Sequence, residues 1–326
     1  MLSKIIVRGL FNLYDYDIDL KNTSGEKMKF ITAPNGYGKT TILDFVYGMM
    51  NSSYNRLYDI PFSQFSLLFS DQENEYKEVR VQKTVHLSAQ EEKSDETGEE
   101  SIELLFSLID IKDEEDSFIE QFSLTRDADG IIIQEGTNNN LDMFFVSQTC
   151  HYIDDKRLLN VKTEVHNEPF YINSASIKDY AEDMKRILLN PETKKAYADN
   201  VEVFKTVIDR CDFANKRMEI DERFGFRFVA NDELETKLSP DDLSSGEKHM
   251  IIQTYELLFK AQEGTLVMID EPELSLHMMW QMNYLKNLSE IIALRGFQCI
   301  IATHSPQIFN SLWSLSVDLY DLSTQK

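Results

Sequence analysis

Apolar residues form three kinds of pattern along the chain. Near the start, the runs Ile5–Val7 and Met28–Thr32 have the length of buried strands, and the second leads directly into Ala33-Pro34-Asn35-Gly36-Tyr37-Gly38-Lys39-Thr40-Thr41. Ile42, Leu43, Phe45, Val46 and Met49 follow at helical spacing, so residues 1–60 predict a strand, a glycine-rich turn and a helix. From 61 to 135 the apolar runs are short or alternating (Phe65–Phe69, Val79–Leu87, Ile102–Ile109, Phe118–Leu124, Ile131–Ile133), which predicts antiparallel hairpins.

Between 174 and 217 the period lengthens. Ile177, Tyr180, Ala181, Met184, Ile187 and Leu188, then Val201, Phe204, Val207 and Ile208, recur at three and four, with Asn190-Pro191 between the sets. That spacing predicts an inserted helical hairpin. Arg223–Val229 reads as a strand, and 240–326 alternates helix and strand in the βαβ manner. The expected organisation is one α/β domain over 1–326, with a β-rich lobe at 61–135, the helical insertion at 174–217 and a final lobe at 236–326. No internal repeat is visible.

Composition narrows the class. Hydrophobic residues at 42% and charged residues at 27% place the chain among folded globular proteins. The formal charge is −23, and residues 71–120 hold seventeen acids against five bases, a net of −12. An acidic chain has no general attraction for the polyanionic duplex, so bulk nucleic-acid binding is excluded while a local basic groove is not. The part 90–101, QEEKSDETGEES, is expected as a solvated hairpin tip. No apolar stretch approaches the roughly 18 residues of a membrane helix, and the first ten residues lack a signal-peptide core, so a cytoplasmic location is expected. Cys150, Cys211 and Cys299 show no C-x-x-C spacing and read as reduced core thiols.

Four motifs carry chemistry. Gly36-x-Gly38-Lys39-Thr40 lies between a strand and a helix, where backbone N–H groups can cradle phosphates, a lysine can reach the β and γ positions and a hydroxyl can ligate magnesium. Ala33 replaces the first glycine of the G-x-x-x-x-G-K-[ST] pattern, which the loop tolerates if Ala33 keeps a negative φ. Leu266–Asp270 is a buried strand that delivers Asp270 and Glu271 at its end, one to hold magnesium and the other to take a proton from water. Any strand ending in Asp-Glu would look the same. Leu243-Ser244-Ser245-Gly246-Glu247 opens a helix with Ile251, Tyr255, Leu258 and Phe259 on one face. It is either an ordinary capping box or an anion site at a helix N-terminus. Ile300–Thr303 ends in His304, a satisfied structural group or a sensor of the γ-phosphate.

The order is the informative part: the phosphate loop, the serine-glycine turn, a strand-end carboxylate pair 24 residues on (270 − 246), and a histidine 33 beyond Glu271 (304 − 271). That order resembles the nucleotide-binding head of ABC-type ATPases, with Leu-Ser-Ser-Gly-Glu similar to their signature and Glu273–His277 in the place of their D-loop. The insertion before the signature and the run Asp270–His277 resemble the soluble AAA-15/AAA-21 and OLD-like, SMC-related ATPases more closely than transporter subunits. Residues 1–60 and 236–310 carry the specific resemblance.

The resemblance implies a P-loop NTPase fold, ATP and Mg²⁺ as cofactors, and a homodimer or higher oligomer with nucleotide held between heads. Asn35, Gly36, Tyr37, Gly38, Lys39, Thr40 and Thr41 would bind ATP within the chain, and Ser244, Ser245, Gly246 and Glu247 would meet the nucleotide of another protomer. Thr40 and Asp270 would hold the metal, Glu271 would be the catalytic base and His304 the switch histidine. A metal-sensing glutamine should end a strand before the signature. Gln148, after Met143–Ser147, is the choice, with Tyr152–Leu158 and its Lys156 as the rival. Tyr14 or Tyr16 is the candidate for the adenine. Twenty-two residues follow His304, fewer than a TOPRIM nuclease domain needs, so the expectation is an ATPase that regulates a separate effector protein, a nuclease for example, as in two-gene anti-phage defence systems such as PARIS. The alternative is an SMC- or RecF-like DNA-repair ATPase that binds DNA through its dimer.

Overall fold

The computed structural model describes residues 1–21, 26–70, 76–87, 100–111, 117–153, 174–274, 276–310 and 312–324. Residues 90–99 of the expected hairpin tip lie outside the described residues, as does Lys156. Contacts divide the chain into one unit of Met1–Cys150 with Ser314–Lys326 and another of His151–Trp313.

The first unit opens with β1 (Leu2–Leu10) and β2 (Tyr14–Asp19), joined by a tight turn in which Phe11 and Asn12 take positive φ. The fully buried β3 (Met28–Thr32) leads through residues 33–38 to α1 (Lys39–Met50), and a short α2 (Asn55–Asp59) follows. Four further strands, β4 (Gln64–Ser70), β5 (Tyr76–Leu87), β6 (Glu100–Ile111) and β7 (Ser117–Arg126), continue antiparallel to β8 (Ile132–Gly136). They form one seven-stranded sheet in the order β2-β1-β4-β5-β6-β7-β8. Along β6, Leu104, Phe106 and Leu108 are buried at every second position, and Ser107 and Ile109 on the other face are buried as well. Phe45 of α1 meets Phe65 of β4 at 5.3 Å between ring centroids and Phe62 at 5.0 Å. The ammonium of Lys83 donates to the carbonyls of Leu57, Tyr58 and Ile60, where a cation complements the C-terminal end of α2.

The expected strand over Met143–Ser147 is not there. Residues Asn139–Val146 form a helix, α3, whose buried residues Leu141 and Phe145 stand four apart, the spacing of one helical face. Gln148 therefore follows a helix and ends no strand, and β9 (Cys150–Ile153) begins two residues later. The strand Ser316–Asp318 returns from the far end of the chain and pairs in parallel with β3, Ser316 opposite Phe30 and Asp318 opposite Thr32.

In the second unit the helical pattern yields α4 (Ser174–Leu189), α5 (Pro191–Ala196) and α6 (Ala198–Arg210). Asn190 accepts from the backbone N–H groups of Glu192 and Thr193, and Pro191 fills the first turn where no N–H is needed, so Asn190-Pro191 starts α5 rather than merely breaking a helix. A hairpin of β10 (Lys216–Asp221) and β11 (Gly225–Ala230), with the two-residue β12 (Lys237–Leu238), packs against α4. A side chain at Gly225 would place its Cβ 1.7 Å from the carbonyl oxygen of Ala181, so only glycine permits that approach.

Helix α7 (Ser245–Tyr255) continues into a single π turn at Glu256–Lys260. The expected apolar face persists, since Ile251, Tyr255, Leu258 and Phe259 are all buried, but its last part winds more widely than an α-helix. Then come β13 (Leu266–Asp270), α8 (Met278–Arg295), closed by Gly296 in the left-handed conformation, and β14 (Gln298–Thr303). The two strands are parallel and wholly buried, with Asp270 opposite Ala302. Cys211 and Cys299 are buried free thiols, Cys150 a half-buried one.

Candidate functional site

In the first unit, α1 starts on Gly38, whose φ of 87° is left-handed and which offers no side-chain cap. A Cβ there would lie 2.6 Å from Leu10 Cδ2, so the turn between β1 and β2 and the loop fit only around a glycine. Gly36 is also left-handed, at φ 90°, yet has open space around it. Ala33 keeps a negative φ, so the missing first glycine costs the loop nothing in conformation. Pro34, Asn35 and Gly36 are exposed, Tyr37, Gly38 and Thr40 half-buried, Lys39 and Thr41 buried. The Lys39 ammonium donates to the Ala33 carbonyl at 3.0 Å and so closes the loop from inside. A glycine-started helix without a side-chain cap, with a lysine at its first position, has the donor set that fits a polyphosphate.

Aromatic rings support this loop. The Tyr16 hydroxyl donates to the Tyr37 carbonyl at 3.0 Å, and the Tyr14 ring stacks 5.7 Å from Tyr16 and 5.3 Å from Tyr37. Tyr320 meets Tyr37 edge-on at 5.8 Å. Tyr16 is buried, its phenol pushed up by burial first and by the Tyr14 hydroxyl second, so it props the loop instead of offering a face. Of the two tyrosines considered for an adenine, Tyr14 alone keeps partial exposure. Gln148 is misplaced for the role expected of it. It lines a cleft with Met50, Asn51 and Ser52 at the C-terminal end of α1. Thr40 lies about 15 Å back along that helix, ten residues at about 1.5 Å each.

In the second unit, Asp270 ends β13 buried at 2% exposure. Glu271 then turns out of the strand with φ 44°, a left-handed value rare outside glycine, held by its N–H donating to the Ala302 carbonyl at 2.8 Å. Its Oε2 lies 2.5 Å from Nδ1 of His304, whose ring is half exposed. Glu273, absent from the sequence-based site, sits beneath both. It is buried at 6%, and its Oε1 lies 3.1 Å from the same imidazole nitrogen. Burial, and then the adjacent Glu271 carboxyl, push Glu273 above the ordinary carboxylate range. Donor atoms of Glu271, Glu273 and His304 fall within 4.8 Å of one another.

The serine-glycine turn is a complete capping box. Ser244 Oγ accepts from the Glu247 N–H at 3.3 Å, and Glu247 Oε2 accepts from the Ser244 N–H at 2.7 Å. The Glu247 carboxylate is buried and also takes both bonds of the Lys216 ammonium, at 2.9 and 2.8 Å, so it faces inward. Ser244 and Ser245 face solvent and Gly246 is buried. Further along α7, burial pushes the His249 imidazole down to about 4, against a weaker upward pull from the Leu274 backbone. The unfolded chain takes that proton near pH 6.5 and the folded one near 4, so stability falls as pH falls through this window, by about 3 kcal/mol in all. Denaturant midpoints at pH 7.5 and 5 should show about 2 kcal/mol of this loss in the wild type and less of it in His249→Phe. Equal acid sensitivity of the two proteins would refute it.

The fold has counterparts among solved structures. The chain shares its fold with an SMC head crystallised with the C-winged helix domain of ScpA, at a TM-score of 0.51 and 10% identity over 95% of this chain and 91% of that one. The SMC head domain from Thermotoga maritima aligns over the same shares at 12% identity and a TM-score of 0.48. Residues 154–310 match the AAA-21 family model, described as "AAA domain, putative AbiEii toxin, Type IV TA system". The match covers just under half of the chain, and the fold shared with the SMC head is that of a P-loop ABC-type ATPase head. No curated protein matches the chain. No helix among the described residues is long and apolar enough to cross a membrane.

The sequence missed Glu273 and His249. Glu273 was placed only in the Glu273–His277 run, its own role being visible once Thr303–Ser305 is brought against it, and His249 stands in a run of ordinary helix formers.

Proposed function

We propose that this chain hydrolyses ATP and uses the cycle to regulate a separate effector protein in anti-phage defence. The observation that carries the hydrolytic part is the Glu271–His304 pair at 2.5 Å, at the end of a buried strand, in a chain that also has an uncapped, glycine-started phosphate loop. Asn35, Gly36, Tyr37, Gly38, Lys39, Thr40 and Thr41 bind the triphosphate, and Thr40 and Asp270 hold its magnesium. The metal, when bound, neutralises phosphate charge. Glu271 takes the proton of the attacking water, and His304 reads the γ-phosphate. The exposed Ser244 and Ser245 and the Gly246 backbone serve the nucleotide of a second protomer, while Glu247 holds that turn in shape. ATP then favours the dimer by as much as it binds the closed state better than the open one. The effector role rests on the AAA-21 match, whose description names a toxin–antitoxin system, and on the acidic β region, which suits a basic protein surface.

The test combines phosphate release by the purified chain with mass measurement with and without Mg-ATP, and copurification with the product of the neighbouring gene. Turnover, ATP-dependent dimers and a co-purifying protein are expected. Absence of turnover rejects the hydrolase, and a salt-dependent affinity for DNA in place of a protein partner rejects the effector role.

A further inference from the structure

Glu273, the first residue of the Glu273–His277 run, lies at the centre of a set of hydrogen bonds made through one of its oxygens. Its Oε1 accepts from the Thr303 hydroxyl at 2.6 Å, from the His304 N–H at 2.9 Å and from the Ser305 N–H at 3.2 Å. The Ser305 N–H also reaches Thr303 Oγ1 at 3.0 Å, and the Ser305 hydroxyl donates to Gln281 Oε1 of α8 at 3.0 Å. Gln281 Nε2 in turn donates to the carbonyls of Leu276 at 3.1 Å and of Glu273 itself at 3.4 Å. One buried carboxylate oxygen thus ties the turn after β13 to the loop after β14, and α8 closes the ring. Three donors converge on this one buried oxygen, so removing it costs more than any single hydrogen bond, because buried donors are left without an acceptor.

The geometry is specific in what it fixes. Two of the three donors are the backbone of His304 and the residue after it, so the bonds set the direction in which the imidazole leaves the strand. Glu271 comes from the other end of the same tie, two residues before Glu273, on a backbone already forced to positive φ. We infer that Glu273 is a positioning residue, holding the His304 imidazole at hydrogen-bonding distance from the Glu271 carboxylate. This rests on the hydrolytic reading above for its kinetic consequence, but not for its structural one.

The experiment therefore has two arms. In steady-state kinetics, Glu273→Ala should lower kcat about 10²-fold, the usual cost of displacing a catalytic pair by an ångström, with nucleotide affinity unchanged. Glu273→Gln keeps the accepting oxygen and loses only the charge, so it should stay within about tenfold of wild type. In nucleotide-free protein, the ring resonances of His304 should shift in Glu273→Ala and much less in Glu273→Gln, while those of His86 stay in place and report an intact first unit. Unmoved His304 signals with undiminished kcat in Glu273→Ala overturn the proposal. So does Glu273→Gln being as slow as Glu273→Ala, because charge would then matter and not the bonds. If Glu273→Ala does not fold, Thr303→Val removes one of the three donors and should move the same resonances; no movement overturns the proposal equally. If the wild type does not hydrolyse ATP, the functional reading fails while the resonance arm still decides the role of Glu273.

Discussion

Glu271→Gln is expected to bind nucleotide as the wild type does and to release phosphate about 10² to 10⁴ times more slowly, the usual worth of a general base. That corresponds to about 3 to 5 kcal/mol of barrier. The substitution isolates the chemistry because little else changes. The amide matches the carboxylate in size, the backbone at φ 44° is held by the Ala302 carbonyl and not by the side chain, and a hydrogen bond to His304 can persist. What disappears is the capacity to accept a proton from water. The slow variant should also accumulate as a dimer in Mg-ATP, since the state that hydrolysis ends would persist. Phosphate release and light scattering on the same preparation read both effects. Turnover at the wild-type rate would take Glu271 out of the mechanism.

The phosphate loop was legible in the sequence because everything that defines it is local. An apolar run, two glycines at positive φ and a helix follow one another within 23 residues (28 to 50), and each acts on its neighbours along the chain. The capping box at Ser244 was legible for the same reason, since its two bonds span three residues. Local pattern could not show which function that box leaves to Glu247, because the deciding partner, Lys216, comes from a strand 31 residues earlier. A strand over Met143–Ser147 was expected because the resemblance asks for a glutamine at a strand end, and the local residues Phe144, Phe145 and Val146 do not exclude one. The contacts that chose a helix, such as Phe144 against Phe69 at 5.0 Å, come from a distant strand. The joining of β1 and β2 to the hairpins in one sheet was hidden likewise, since Ile5 opposite Leu67 is a register set by non-local pairing.

Lys39→Ala should separate binding from chemistry, losing the first where Glu271→Gln loses only the second. Lys39 is 5% exposed, and its ammonium is held by the Ala33 carbonyl at 3.0 Å. A phosphate oxygen is a better partner for that ammonium than a neutral carbonyl, so nucleotide should draw the lysine off the loop. Hydrogen bonds to charged groups contribute about 1.5 to 3 kcal/mol each, so one such bond lost weakens nucleotide affinity about 10- to 150-fold. Titration calorimetry with Mg-ATP and Mg-ADP reads the change directly. Arginine should not rescue the variant, because a planar fork does not fit where a compact ammonium reaches the Ala33 carbonyl. Some loss of stability should accompany the loss of affinity, about 1 kcal/mol for the missing brace, and a melting curve without nucleotide measures that part alone. Were Lys39→Ala to bind Mg-ATP as tightly as Glu271→Gln does, the loop at 33–41 would be a structural turn and the triphosphate would have to sit elsewhere.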